Sequence, residues 1–215
     1  MSTREVRPPV MIMSVICAVV ALTATLIAVS VGSANARGSV SADSTSEPSC
    51  ITTATSPIRP AKAEIPALNR TVDVVGVGRK RNGAIGSPPV TSRGKLLMGW
   101  DRHNQPGTGL GSVILDAHTW PDGSALGNAM LRSLRSGSTF TIRDAAGRAV
   151  CYQIVERRSY RRSKLPRRKM FRTWGQEQAV IVVCSGKRLG PGNWLRRTVW
   201  YAVPVKAPDP VGITG

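Results

Sequence analysis

Three side chains in this sequence have types that together could move an acyl group. Cys184 closes the apolar run Ala179-Val-Ile-Val-Val183 and is followed by Ser185-Gly186. His118 closes Val113-Ile-Leu-Asp-Ala117, and Arg197 lies thirteen residues beyond Cys184, entering the last β-rich run. Acyl transfer through a thiolate needs a nucleophile, a proton donor for the leaving amine and a charge stabiliser for the oxyanion. Cys, His and Arg at the ends of three strands supply one of each. Taken singly, each has an ordinary structural reading. A free cysteine is among the most buried residue types, and a single strand-end histidine is a common structural residue. The other histidine, His103, sits in the turn-rich stretch Arg102-His-Asn-Gln-Pro-Gly-Thr-Gly109 and reads as a solvated loop residue.

The elements that would hold these groups are short β-rich runs separated by Gly, Pro, Asp and Asn. Strands are predicted over Thr71–Val77, Lys95–Trp100, Ser112–His118, Thr139–Arg143, Ala149–Val155, Gln178–Cys184 and Thr198–Val205. Asp144-Ala-Ala-Gly147 turns the fourth into the fifth as a hairpin. Leu126, Met130, Leu131 and Leu134 have the spacing of a short amphipathic helix over Ser124–Leu134. The intervals are too short for a helix between most strands, so a doubly wound sheet is excluded. The expectation is an all-β fold, a closed β-barrel of about seven to eight strands with one or two short helices. On a strand Arg196 and Arg197 point to opposite faces. Spacing back from Ala202 favours Arg197, with Leu195, Val199 and Tyr201 on its face, and Arg196 is the alternate.

The rest of the chain sets the compartment. Arg4 and Arg7 precede an uncharged run, Met11–Val31, whose twenty-one residues at about 1.5 Å each reach across a bilayer core of about 30 Å. Basic residues before the run place the N-terminus in the cytoplasm and the remainder outside. The small-x-small triplet Ala34-Asn35-Ala36 offers a competing reading as a cleaved signal peptide. Residues 1–36 are therefore read as a cytoplasmic stub and anchor, and 37–68, rich in Ser, Thr, Ala and Pro, as a flexible linker. Residues 69–207 form the domain and 208–215 a loose tail.

The formal net charge is +18, from 30 Lys and Arg against 12 Asp and Glu. A surplus of that size draws the chain to something anionic. With 5% aromatic residues, base-stacking platforms are scarce, and export argues against nucleic acid as a partner. Eight of the thirteen residues Arg157–Lys169 are basic. They read either as a solvated loop or as a docking face for anionic wall polymer or lipid head groups. The four cysteines, Cys17, Cys50, Cys151 and Cys184, include no C-x-x-C pair, which argues against a structural zinc site. No cofactor is implied.

Order and context make the motifs recognisable. Gly99-Trp100…Pro106-Gly107…Gly109…Gly111-Ser-Val-Ile-Leu-Asp-Ala-His118 resembles the stretch leading to the catalytic histidine of sortases. Val180-Ile-Val-Val-Cys184 is similar to the strand bearing their nucleophile. Trp194-Leu-Arg-Arg197-Thr-Val-Trp-Tyr-Ala202 resembles their closing strand with its arginine. The resemblance covers roughly residues 71–205, and the Gly-Trp…Pro-Gly run is most like the class F sortases of actinobacteria. The chain departs from the pattern at Val183, where Thr is usual, at Ala117, where Gly is common, and at Thr119-Trp120, where Val-Asp is more usual. These departures bear on substrate choice and oxyanion detail more than on the triad.

The resemblance implies an extracytoplasmic, single-pass membrane cysteine transpeptidase. Cys184 would be the nucleophile, His118 the general acid and Arg197 the oxyanion and substrate stabiliser. Its partners would be surface proteins carrying a C-terminal Leu-Pro-X-Thr-Gly-like signal, and an amine on a peptidoglycan precursor or a pilin. Some family members bind calcium in the connection before the cysteine strand. Here Arg157–Val183 holds a single acid, Glu177, too few oxygen ligands for that ion. An L,D-type transpeptidase, with His and Cys two residues apart, is excluded by the sixty-six residues between His118 and Cys184. A reading from another class makes the chain a non-catalytic, tethered basic β-domain that binds anionic wall polymer. Under it, Cys151 and Cys184 form a disulfide and His118 is incidental.

Overall fold

The alternation of apolar residues along the predicted strands produces a sheet that closes on itself. The computed structural model describes residues 50–206, which belong to the second of two units of the chain, Ser44–Gly215. The apolar run Met11–Val31, Cys17, the Ala34-Asn35-Ala36 triplet and the tail 208–215 lie outside the described residues. Within these, no helix is long and apolar enough to cross a membrane.

Eight strands form the barrel: β1 (Lys62–Ile65), β2 (Arg70–Val77), β3 (Met98–Asp101), β4 (Ser112–Ala117), β5 (Thr139–Arg143), β6 (Ala149–Arg161), β7 (Gln178–Gly190) and β8 (Asn193–Pro204). Their order around the closed barrel is β1-β2-β3-β4-β7-β8-β6-β5. The β2–β3 and β4–β7 pairs are parallel, and the others are antiparallel. Two helices complete it, α1 (Leu126–Ser133) and the single turn α2 (Arg167–Met170). The closed all-β barrel with short helices is the fold expected from the sequence.

Because side chains alternate across a strand, β4, β7 and β8 each carry two apolar sets. Val113, Leu115 and Ala117 face Ala179, Ile181, Val183, Trp200 and Ala202 in the barrel interior, where Phe140, Tyr152, Leu126 and Met130 join them. Ile114, Val180, Val182, Val199 and Tyr201 form a second cluster on the outer face, covered by Met170, with Leu165 and Phe171 packed at its margin. Burying one such side chain contributes about 1.5–3 kcal/mol, so both faces of this part of the sheet are strongly specified. It is the outer face that holds the candidate residues.

Several boundaries differ from the sequence reading. The stretch read as the end of the linker is part of the fold: β1 closes the barrel between β2 and β5, with Ala63 and Ile65 buried. The segment before it is pinned as well. Cys50 is bonded to Cys151, the amides of Thr53 and Ala54 both donate to the Ala149 carbonyl, and Ile58 is wholly buried. Four alternating residues between Pro60 and Pro66 are too few to announce a strand. The predicted strand Lys95–Trp100 is instead a 3₁₀ turn at Gly94–Leu96 followed by β3. Strands β6, β7 and β8 run well beyond their apolar stretches as a polar extension, held by the pairs Ser159–Thr198, Tyr160–Arg197 and Arg161–Arg196. Cys184 is therefore not at a strand terminus but inside β7, two residues before a bulge.

Candidate active site

The outer face gathers the three candidate residues although they are far apart in sequence. Cys184 pairs directly with Arg197 across the β7–β8 ladder. Asp116 of β4 pairs with Val182, which puts His118 beside Cys184 by the same two-residue period. All three line one cleft of about 190 Å³. Its walls are Gly83, Ala84, Ile85 and Ser87 from the β2–β3 connection and Leu165, Arg167, Met170 and Phe171 from the β6–β7 connection. The cleft is mostly apolar, with the polar groups on its floor. Each of the three candidates is half-buried, reachable yet partly shielded from water.

His118 is held from several sides. Its Nε2 lies 2.7 Å from the Pro88 carbonyl. A carbonyl only accepts, so this contact puts a hydrogen on Nε2 and leaves Nδ1 to carry or deliver the mobile proton. Helix α1 fixes the backbone: the Gly127 amide donates to the His118 carbonyl at 2.8 Å, which satisfies one of the unpaired amides at a helix start. A Cβ at residue 127 would stand 2.5 Å from that carbonyl oxygen, so glycine permits the approach. Asn128 accepts from the Trp120 amide and donates to the Trp120 carbonyl. Thr119 Oγ1 donates to the Cys184 carbonyl at 2.7 Å, tying the segment that carries His118 to the strand that carries Cys184.

Arg197 donates from Nη1 to the carbonyls of Trp194 and Arg196, which orients its planar head over the cleft. The alternate, Arg196, points to the other face and donates to the hydroxyl and carbonyl of Ser159. Cys184 is the one free cysteine among the described residues. The Cys151–Cys184 disulfide of the binding-domain reading is corrected by the structure: Cys151 is bonded to Cys50, and their Cα atoms are 5.7 Å apart. Burial pushes the Cys184 thiol up; Arg197 draws it down, Asp116 pushes it up and Arg162 draws it down. The resting sulfur is thus a thiol with cationic help close by.

His103 lies away from this cleft, its Nδ1 2.8 Å from Asp101, which also pairs with Arg79. Glu177 is buried against the Gly107–Gly109 loop and Tyr152. Among the described residues, no three His, Cys, Asp or Glu side chains gather as a metal-binding group. Of the eight basic residues in Arg157–Lys169, Arg158 and Lys169 are paired with Glu156, and Arg167 reaches the cleft wall.

Sequence reasoning did not single out Asp116, yet it lies on the cleft floor between Ile114 and His118 on the outer face. It is 6% exposed. Burial pushes its carboxyl up to about 7, against a hydrogen bond from Ser87. An acid inside the otherwise apolar run Val113–Ala117, two residues before the histidine, was the available signal.

No family model matches the chain, and no curated protein matches it. Solved structures similar to it include sortases. Streptococcus agalactiae sortase C1, in its complex with MTSET, is 13% identical over 71% of this chain and 72% of that one, with a TM-score of 0.49. Listeria monocytogenes sortase A is 16% identical over 67% and 86%, with a TM-score of 0.48. Actinomyces oris sortase C-1 is 14% identical over 69% and 74%, also with a TM-score of 0.48.

Proposed function

We propose that this chain is a cysteine transpeptidase of the sortase type, acting outside the cytoplasm on surface proteins that carry a sorting signal. The observation that carries the reading is the convergence of Cys184, His118 and Arg197 on one face of the barrel around a single cleft. A thiol, an imidazole with one nitrogen already committed, and a guanidinium beside the sulfur form a working set for acyl transfer.

In this mechanism the Cys184 thiolate attacks the Thr–Gly carbonyl of a Leu-Pro-X-Thr-Gly-like signal. The tetrahedral oxyanion is held by Arg197, which stays charged and offers several donors. The C–N bond then breaks, the departing glycine amine takes a proton from His118, and a thioester to Cys184 remains. An incoming amine, on a peptidoglycan precursor or a pilin, attacks the thioester, returns a proton to His118 and releases the thiolate. The apolar walls of Ile85, Leu165, Met170 and Phe171 suit the leucine and proline of such a signal.

Two features support the location. A disulfide between Cys50 and Cys151 belongs to an oxidising compartment. The run Met11–Val31 has the length and flanking charge of an anchor, making the protein single-pass with its barrel outside. The class F likeness of the Gly-Trp…Pro-Gly stretch is the finer assignment within this reading.

The test is to incubate the full chain with a Leu-Pro-X-Thr-Gly peptide and a glycine amine, following intact mass and products. A thioester on Cys184 and a ligated product, both lost in Cys184→Ala, are expected. Absence of adduct and product across a panel of signal variants would overturn the reading.

A further inference from the structure

Asp116 is a buried acid lining the cleft to which the mechanism above gives no role. One carboxyl oxygen, Oδ1, has no hydrogen-bond partner. It occupies the space that a side chain at residue 99 would need: a Cβ built on Gly99 would lie 2.0 Å from it. Gly99 faces Asp116 across the β3–β4 ladder, so the missing side chain opens a slot and the carboxyl fills it. Ser87 hydrogen-bonds the same side chain, and the next residue, Pro88, holds His118 through its carbonyl. Consecutive residues of one connection thus fix both the acid and the imidazole.

Burying a carboxyl with one oxygen unpartnered is unfavourable in its charged form, and packing alone would be served by an apolar residue. What distinguishes this position is its surroundings. The ionisable groups that face the cleft with it are His118 on its own strand, Cys184 on β7, Arg197 on β8 and Arg167 on α2, with Arg162 acting on the sulfur from the 3₁₀ turn after β6. On β3 it meets only Gly99, because Asp101 further along is engaged by Arg79 and His103. Residues 83–88 carry no charge. Among the described residues, Asp116 is therefore the single acid opposing the arginines around Cys184.

We propose that Asp116 is a positioning residue for Cys184: held between Gly99 and Ser87, its carboxyl governs whether the sulfur keeps or releases its proton. The ionised carboxyl offsets Arg197 and Arg162 and adds to burial in keeping the resting sulfur a thiol. A neutral group at this position leaves the arginines unopposed and moves thiolate formation to lower pH. Burial raises the carboxyl's own titration to about 7, below the range in which the thiol, itself pushed up by burial, gives up its proton, so the carboxyl is charged where the thiolate forms. The proposal rests on the reading of Cys184 as the nucleophile, but its test needs no substrate.

The measurement is the rate at which iodoacetamide alkylates Cys184 in the full chain, resolved by peptide mass so that Cys17 does not contribute, over about pH 6 to 10. Asp116→Asn keeps the shape and removes the charge. It is expected to move the alkylation profile to lower pH by about half to one unit, a rate about three- to tenfold higher near pH 7.5. Ser87→Ala, which removes the hydrogen bond that favours the ionised carboxyl, is expected to shift the profile the same way by less, and it tests the idea if the first variant fails to fold. Profiles of folded variants that coincide with wild type overturn the proposal while leaving the transpeptidase reading intact. Failure to form a thioester with any peptide, alongside a shifted profile, does the reverse.

Discussion

Replacing Glu177 with Gln tests whether one carboxylate holds the far end of the strand that carries Cys184. Glu177 is 4% exposed and immediately precedes β7. Its Oε1 accepts from the Gly107 amide at 3.1 Å and the Tyr152 hydroxyl at 2.5 Å. Its Oε2 accepts from the Gly109 amide at 2.7 Å and the Thr108 hydroxyl at 3.2 Å. Gln has the same shape but one acceptor oxygen. Whichever way the amide is turned, its NH₂ faces one hydroxyl, which can rotate to accept, and one backbone N–H, which cannot. That orphaned amide loses about 1–3 kcal/mol, and the remaining bonds lose their charge assistance, about 1 kcal/mol more. A destabilisation of about 2–4 kcal/mol follows. With a urea dependence of about 2 kcal/mol per molar, the unfolding midpoint falls by about 1–2 M. Tyr152→Phe, which removes only one donor, is expected to lower it by about half as much or less, and the double variant to show coupling. Because residues 178 to 184 span about 20 Å along an extended strand, thiol alkylation at Cys184 in the folded state should not change. A midpoint for Glu177→Gln within about 0.3 M of wild type would refute the assignment of Glu177 as the anchor of this corner.

Four further outcomes are expected. Arg197→Ala should lower kcat by about two to three orders of magnitude, and Arg197→Lys should recover little of it because a point charge replaces a planar fork; Arg196→Ala, on the other face, should stay within a few-fold. Reducing the Cys50–Cys151 bond, or replacing Cys50 with Ser, should destabilise the fold by about 3–5 kcal/mol, since it ties residues 101 apart in sequence; equal melting curves with and without reductant would count against it. Gly99→Ala should destabilise by about 2–4 kcal/mol through the clash with Asp116, and Asp116→Ala in the same chain should relieve part of that loss. Finally, the native Asp116 carboxyl, raised to about 7 from 3.8, binds its proton more tightly than the unfolded chain does. Its contribution is therefore fully present below about pH 4 and is lost as pH rises through about 7, by about 2–4 kcal/mol at most; in Asp116→Asn that slope in a pH series of unfolding midpoints should disappear.

How much of this was legible beforehand depended on range. Period-two alternation and turn residues are local, and they announced the central part of every strand from Thr71 to Val205 except β3, whose start was set by the Gly94–Leu96 turn. Apolar spacing announced α1 within about two residues at either end. The order of Cys184, His118 and Arg197 along the chain, with their flanking residues, was enough to select them as candidates.

What the sequence determined by itself was the material of the site: a thiol, an imidazole and a guanidinium carried on strands whose alternation places each on a definite face. Which strands would be neighbours, the hairpins apart, was decided only by closure of the barrel. The parallel pairing of β4 with β7 is a contact across sixty-six residues, and nothing local encodes its register, whereas the Pro191-Gly192 turn sets β7 against β8 locally. The same closure recruited β1 from a stretch that reads as linker, because four residues become a strand when two neighbours offer their ladders. It extended β6, β7 and β8 past the end of their apolar pattern, because paired backbone does not require an apolar face. It gave Cys151 to Cys50 and left Cys184 free, a choice that spacing could not make. It also set Asp116 over Gly99, where the charge of one carboxyl bears on the sulfur only because a third strand has no side chain at that point.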